Sequence, residues 1–148
     1  MFTADLGVIR YCAEEVQRQQ DTPEAVADMV EAWCYAQAAQ AVGEDLSLEL
    51  IITLGSLVSP LNPDDSFRSM RVFVGDRIPP DPEDVYRLME RYIVNLPDMS
   101  PEEAYKEFEM IHPFRDGNGR TGKIIYNWLR GTLDKPAMPP NFWGIANP

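Results

Sequence analysis

Residues 111–123 read IHPFRDGNGRTGK, and this stretch carries His112, the only histidine of the chain. The acidic residue Asp116 follows four positions later, then two glycines flank an asparagine, and Arg120 comes next. Glycine adopts backbone angles closed to other residues and lets a ligand approach the main chain. A proton acceptor, an oxygen ligand for a metal and a cation are therefore close together, which predicts a functional site.

Helical patterns lie on both sides of this stretch. Apolar residues recur at helical spacing up to Ile111 and again after Gly119. Pro113 disfavours a continued helix and should give His112 an extended backbone. Residues 116–119 would then lie at the N-terminus of the second helix, where unpaired N–H groups and the helix dipole favour an anion such as phosphate.

The side chains of this stretch suit the chemistry of phosphate groups. Arg120 carries a forked cation that matches phosphate oxygens. Asp116 is a hard oxygen ligand that can hold a Mg²⁺ ion bridging phosphates. His112 is expected to be nearly neutral at cellular pH and able to take a proton from a hydroxyl group.

Residues 112–123 resemble the signature of the Fic family, H-P-F-x-[DE]-G-N-G-R-x-x-R. Every defining position matches except the last, where Lys123 replaces arginine. The resemblance covers roughly residues 45–135. It implies a mainly α fold, in which residues 1–148 form a single-domain helical bundle with a small β-hairpin flap.

The resemblance implies a protein adenylyltransferase, which transfers AMP from ATP, with Mg²⁺, to a Ser, Thr or Tyr hydroxyl of a target protein. It assigns the role of general base to His112, that of Mg²⁺ ligand to Asp116 and that of structural anchor to Phe114. Because lysine lacks the bidentate fork of arginine, Lys123 would hold the terminal phosphate less well. The implied nucleotide-binding residues are Gly117, Asn118, Gly119, Arg120 and Lys123.

A short β-like run lies upstream of the site. Residues 71–74, a turn at Gly75 and Asp76 and a return arm ending at two prolines predict a hairpin. It is either a plain surface hairpin or, as the resemblance implies, a flap that binds an extended segment of the target by strand addition. The implied flap residues are Val72, Phe73, Val74 and Ile78, and either Phe73 or Ile78 would clamp the target side chain.

Caps and apolar spacing predict the remaining helices. A Thr-Pro-Glu start at Thr22 opens one helix, either Asp45 or Ser47 caps another, and Ser100 and Glu103 form the capping box of the helix that leads to His112. The predicted helices before the site cover residues 2–20, 23–43, 48–58, 82–96 and 101–111. A proline-rich tail covers residues 136–148, and its aromatic residues Phe142 and Trp143 are expected to fold back onto the core.

Composition limits the classes of partner and compartment. The net charge of −11 repels phosphate backbones and anionic lipid, so we expect no binding to nucleic acid or membranes. Cys12 and Cys34 lack the spacing of a metal site and are typical of reduced thiols. With no secretion signal and no window as long as a membrane helix, we expect a cytoplasmic protein, which could also act in a host cell.

The sequence contains no recognisable built-in inhibitor. Many Fic proteins are inhibited by a helix with the pattern [ST]-x-x-x-E-[GN], whose glutamate pairs with the last motif arginine. No Ser or Thr of this chain has Glu four residues later, so we expect an unrestrained enzyme or control by a separate inhibitory protein.

The alternatives to an adenylyltransferase are a Fic-like transferase of another phosphate-containing group, such as a Doc-like kinase, and a non-catalytic binding module. A dinucleotide fingerprint at residues 117–122 would need a preceding strand, which the sequence does not predict.

Overall fold

A computed structural model describes residues 5–19 and 21–141. Within these ranges the regular structure is helical, which confirms the mainly α prediction. The helices are α1 Leu6–Arg18, α2 Pro23–Ala41, α3 Leu48–Val58, α4 Pro82–Asn95, α5 Pro101–Ile111 and α6 Asn118–Arg130. A 3₁₀ turn, Leu96–Asp98, follows α4. Residues 2–4 and 20 of the first predicted helix, and Phe142 and Trp143 of the tail, lie outside the described residues.

Local capping signals set several helix starts. The Ser47 side chain accepts a hydrogen bond from the N–H of Leu50, so Ser47 rather than Asp45 caps α3. Ser100 and Glu103 form the predicted capping box of α5, with both hydrogen bonds at 3.1 Å. Thr22 precedes α2 as predicted, but its side chain makes no capping hydrogen bond.

The core places the motif helix α6 at the centre of the molecule. α6 packs against α2, α3 and α5, and every residue from Asn118 to Trp128 is buried. Trp33 of α2 is fully buried, and its indole N–H donates a 2.8 Å hydrogen bond to the carbonyl of Leu133 just after α6. The start of α6 is therefore fixed by packing on several sides.

The prediction of a β-hairpin flap is wrong. The described residues contain no β-strand, and a single antiparallel bridge joins Val74 to Arg77, with N–O distances of 3.0 and 2.9 Å. Phe73 and Ile78 are 68% and 64% exposed, so no apolar face packs the two arms, and an isolated two-stranded hairpin is marginal in water. The residues assigned to the flap, Val72, Phe73, Val74 and Ile78, lie in an irregular segment closed by one tight turn.

None of the helices in residues 5–19 and 21–141 combines the length and the apolar character that spanning a bilayer requires.

Candidate active site

His112 lies at the C-terminal end of α5 in a left-handed conformation, with φ 51° and ψ 60°. The predicted extended backbone is therefore wrong. The N–H of His112 donates a 2.9 Å hydrogen bond to the carbonyl of Phe108 and so closes the last helical turn before Pro113 interrupts the helix. His112 is the only non-glycine residue with positive φ in the described part of the chain. This conformation is unfavourable for a residue with a Cβ atom, so surrounding contacts must hold it.

The imidazole of His112 is neutral because it is buried. The side chain is 8% exposed, and its Nδ1 atom meets no hydrogen-bond partner within the described residues. Burial, together with the charges of Arg77 and Arg68, lowers the pKa of His112 to about 4, and the backbone of Glu109 opposes the shift. A neutral imidazole with an unpaired nitrogen can accept a proton.

Asn118 fixes the loop that joins His112 to α6. Its Oδ1 atom accepts a 2.8 Å hydrogen bond from the N–H of Phe114, and its Nδ2 atom donates a 2.7 Å hydrogen bond to the carbonyl of Phe114. The Phe114 ring is fully buried and lies 5.5 Å from the Phe67 ring, measured between centroids. The amide of Asn118 is thus used within the loop and sets its shape.

Gly117 caps α6 at a position that only glycine fits. Its φ is 72°, and a Cβ atom there would lie 2.6 Å from Cγ1 of Val58. The first N–H groups of α6, at Asn118 and Gly119, have no intrahelical acceptor, as at the start of any α-helix. The turn at Gly117 therefore brings the backbone of the motif to the N-terminus of α6, as the sequence predicts.

Asp116 is held at the site by residues that sequence reasoning did not select. Its Oδ2 atom accepts a 2.7 Å hydrogen bond from the hydroxyl of Ser59. Asn62 accepts from the N–H of Asp116 at 3.1 Å and donates to its carbonyl at 2.8 Å. The sequence shows residues 59–65 as a loop, and no spacing relates this loop to the motif.

Arg120 is buried between two carboxylates. Its side chain is 2% exposed, and its Nη2 atom lies 3.1 Å from Asp21 and 3.4 Å from Asp116. These three side chains line a cavity of about 180 Å³, together with Glu24 and Asp28. The role of Asp21 is not visible from its position in the linker between α1 and α2.

The carboxylates of this cavity fit a Mg²⁺ ion only in part. Asp116 and Asp21 are partly exposed and offer the hard oxygen atoms that Mg²⁺ prefers. No group of three or more metal-ligating side chains occurs in the described residues. Mg²⁺ is commonly held by one or two carboxylates with substrate phosphates and water as the other ligands, and Asp116 suits that arrangement.

Lys123 is paired with a glutamate of α1. Its Nζ atom lies 2.9 Å from Oε2 of Glu15, and both side chains are 1% exposed. Oε1 of Glu15 lies 3.0 Å from Arg18. A carboxylate of this chain does pair with the last motif cation, which counts against the expectation of an unrestrained enzyme. The sequence pattern missed it because Tyr11, not Ser or Thr, stands four residues before Glu15, and Val16, not Gly or Asn, follows it.

A second buried glutamate, Glu109, lies in the last turn of α5, which ends at Ile111. It is fully buried, and its two carboxyl oxygens meet no hydrogen-bond partner in the part of the chain that the structure describes. Burial raises the pKa of Glu109 to about 7, against the opposing charges of Lys123 and Arg77. The carboxyl group is thus readily protonated near neutral pH, and no pattern in the sequence indicates this.

Comparisons with known proteins show the family and the fold of the chain. The family profile described as Fic/DOC matches residues 45–129, more than half of the chain. The crystal structure of a Fic family protein from Desulfovibrio desulfuricans G20 is similar, with a TM-score of 0.65 at 20% identity. That match covers 84% of this chain and 47% of the other, so this chain spans about half of the length of that relative. At this identity the likeness supports the fold alone. No curated protein matches the chain.

Proposed function

Since the chain belongs to the Fic/DOC family, we propose that it is a transferase that moves AMP from ATP to a Ser, Thr or Tyr hydroxyl of a target protein. One observation carries the proposal: a neutral imidazole, His112, is joined by residues 113–117 of the motif to the N-terminus of α6. The imidazole can take a proton, and the helix N-terminus can bind phosphate oxygens.

The proposed reaction assigns a role to each of these groups. His112 takes the proton of the target hydroxyl, and the hydroxyl oxygen forms a bond to the α-phosphorus of ATP. The bond from the α-phosphorus to the bridging oxygen breaks, and pyrophosphate leaves. Backbone N–H groups at Gly117 and Gly119 and the cation of Arg120 stabilise the negative charge that develops on the phosphates. Asp116 would hold Mg²⁺, which when bound neutralises charge between neighbouring phosphates.

The described conformation is a restrained state of this enzyme. Both motif cations are neutralised: Lys123 by Glu15, and Arg120 by Asp21 and Asp116. The cavity of about 180 Å³ beside Arg120 is smaller than the ~300 Å³ at which ordinary ligand pockets begin. Glu15 lies on α1 and Asp21 in the linker that follows it, so one displacement of this N-terminal segment would release Lys123 and would leave Arg120 paired with Asp116 alone.

The target docks at the tight turn between Val74 and Arg77. Phe73 and Ile78 expose apolar side chains on either side of this turn, and Nη1 of Arg77 donates to the carbonyl of Glu109 at 3.2 Å, which joins the turn to the end of α5. A target segment bound to these apolar side chains would lie beside the end of α5, which leads to His112.

Labelled ATP tests the proposal. A cell lysate is incubated with the chain, Mg²⁺ and ATP labelled at either the α- or the γ-phosphate, and the protein-bound label is measured. The expected result is label from the α-position alone. Label from the γ-position would instead indicate transfer of a phosphate group, and no label from either would indicate a non-catalytic binding module.

The matched control is His112→Asn rather than an alanine variant. Asparagine tolerates the left-handed conformation found at this position but does not act as a base near neutral pH. It should abolish labelling without unfolding the chain, which circular dichroism checks. Labelling that survives in His112→Asn would remove His112 from the base role.

A further inference from the structure

Arg68 is a buried arginine outside the motif whose side chain binds only backbone carbonyls among the described residues. It is 3% exposed, and no carboxylate of residues 5–19 or 21–141 forms an ion pair with it. Its Nε atom donates to His112 at 2.7 Å, Nη1 donates to Met70 at 2.9 Å, and Nη2 donates to Pro80 at 2.6 Å and to Ile111 at 3.4 Å.

The backbone of Arg68 extends the same contact. Its N–H donates a 3.0 Å hydrogen bond to the carbonyl of Pro113. One residue thus binds three consecutive carbonyls, those of Ile111, His112 and Pro113. The last carbonyls of a helix have no intrahelical donor and attract a cation. α5 has no basic residue in its own last turn, so Arg68 supplies this cation from another segment.

These hydrogen bonds act on the two peptide planes that border His112. The carbonyls of Ile111 and His112 belong to the peptide units before and after the His112 Cα atom, and fixing both fixes φ and ψ of that residue. Because His112 holds the unfavourable left-handed conformation, its imidazole direction depends on these contacts. The other two acceptors, Met70 and Pro80, lie at the two ends of the segment that carries the tight turn.

We propose that Arg68 is a positioning residue, which sets the direction of the His112 imidazole and holds residues 70–80 in a fixed place relative to it. The proposal rests on the proposed transfer reaction for its effect on rate, but its geometric part does not. The guanidinium never touches the substrate. It connects residues 70–80, which would receive the target, to His112, which would take the proton.

The geometric part is tested on the wild-type chain by NMR with ¹⁵N-labelled arginine. The Nε–H of Arg68 should exchange slowly with solvent and show nuclear Overhauser contacts to His112, whose carbonyl accepts from it. A rapidly exchanging Nε–H, or one without those contacts, would overturn the proposal. This measurement needs no variant and no activity.

The functional part is tested with Arg68→Lys, which keeps the charge but loses the fork of donors. The matched control is Arg87→Lys, a surface arginine whose ion pair with Asp84 is exposed. Misplacing a reacting group by about 1 Å costs ~10²-fold in rate, so Arg68→Lys should lower kcat for label transfer by about that factor and leave KM for ATP unchanged. The signal of the single imidazole, His112, should shift or broaden in the same variant but not in the control.

The outcomes separate the two proposals. Arg68→Lys with the kcat and the imidazole signal of the control would overturn the positioning role. The opposite case is a wild-type chain that transfers no label, although its Arg68 Nε–H is protected and the imidazole signal changes in Arg68→Lys. This result would count against the proposed reaction alone.

Discussion

The substitution Glu15→Ala should weaken the fold and raise the transfer rate together, because Glu15 neutralises Lys123 inside the protein. The two charges are 2.9 Å apart, and each side chain is 1% exposed. Removing one partner of such a pair leaves a buried charge without compensation, which costs about 3–5 kcal/mol. The second contact of Glu15, to the partly exposed Arg18, adds at most ~1 kcal/mol. Activity rises because Lys123 becomes available to the terminal phosphate of ATP.

Urea unfolding, followed by the fluorescence of the buried Trp33, measures the loss of stability. With a slope of roughly 2 kcal/mol/M, a loss of about 4 kcal/mol lowers the unfolding midpoint by about 2 M. The matched control is Glu14→Ala, an exposed neighbour on the same helix, which should change stability by less than ~0.5 kcal/mol. Transfer of α-label from ATP, measured on the same samples, gives the rate.

A double variant separates the buried charge from the lost packing. Glu15→Ala with Lys123→Met buries neither charge, so it should recover most of the stability lost in Glu15→Ala alone. It should not gain activity, because it lacks the cation. The reasoning is refuted if Glu15→Ala unfolds at the urea concentration of Glu14→Ala, or if the double variant is no more stable than Glu15→Ala. A Glu15→Ala chain that transfers label no faster than wild type would refute the restraint by Glu15.

Three further predictions follow from single residues. Burial raises the pKa of Glu109 from 4.5 to about 7. The contribution of this carboxyl group to stability is therefore complete below pH 4.5 and is lost as the pH rises to 7. The free energy of unfolding of Glu109→Gln should exceed that of wild type by about 3 kcal/mol at pH 8 and by nothing at pH 4. Urea midpoints at the two pH values measure this, and an equal difference at both would contradict it. Burial lowers the pKa of His112 to about 4, so the NMR signals of this only imidazole should stay constant from pH 8 to pH 5.5, whereas a midpoint near 6.5 would show a solvated ring. A Cβ atom on Gly55 would overlap the Phe114 ring, so Gly55→Ala should lose about 1–3 kcal/mol in urea unfolding, and a loss no larger than that of Ser56→Ala on the same helix would disprove the contact.

Sequence patterns predicted the helices well where local signals act alone. α3 was predicted at residues 48–58 and is found at Leu48–Val58, because the cap at Ser47 and the loop from Pro60 onwards both lie beside it. The capping box at Ser100 likewise fixed the start of α5. The hairpin at residues 71–78 was wrong because a strand needs partners from elsewhere in the fold, and the structure supplies one bridge only.

The arrangement of the site depends on contacts between distant segments, which periodicity does not reveal. The left-handed backbone of His112 is held by Arg68, 44 residues away. Lys123 pairs with Glu15, more than one hundred residues earlier, and the residues around Glu15 depart from the inhibitory pattern at Tyr11 and Val16. Asp21, Ser59 and Asn62 orient the motif from two linkers whose composition is ordinary for loops.

The central claim is that His112 drives the transfer of AMP once Lys123 is released. It is tested most directly by comparing Glu15→Ala with Glu15→Ala/His112→Asn in one lysate, with ATP labelled at the α-phosphate and the protein-bound label counted. The account predicts strong labelling by the first chain and none by the second. Equal labelling by both, or none by the first while it remains folded, would contradict it.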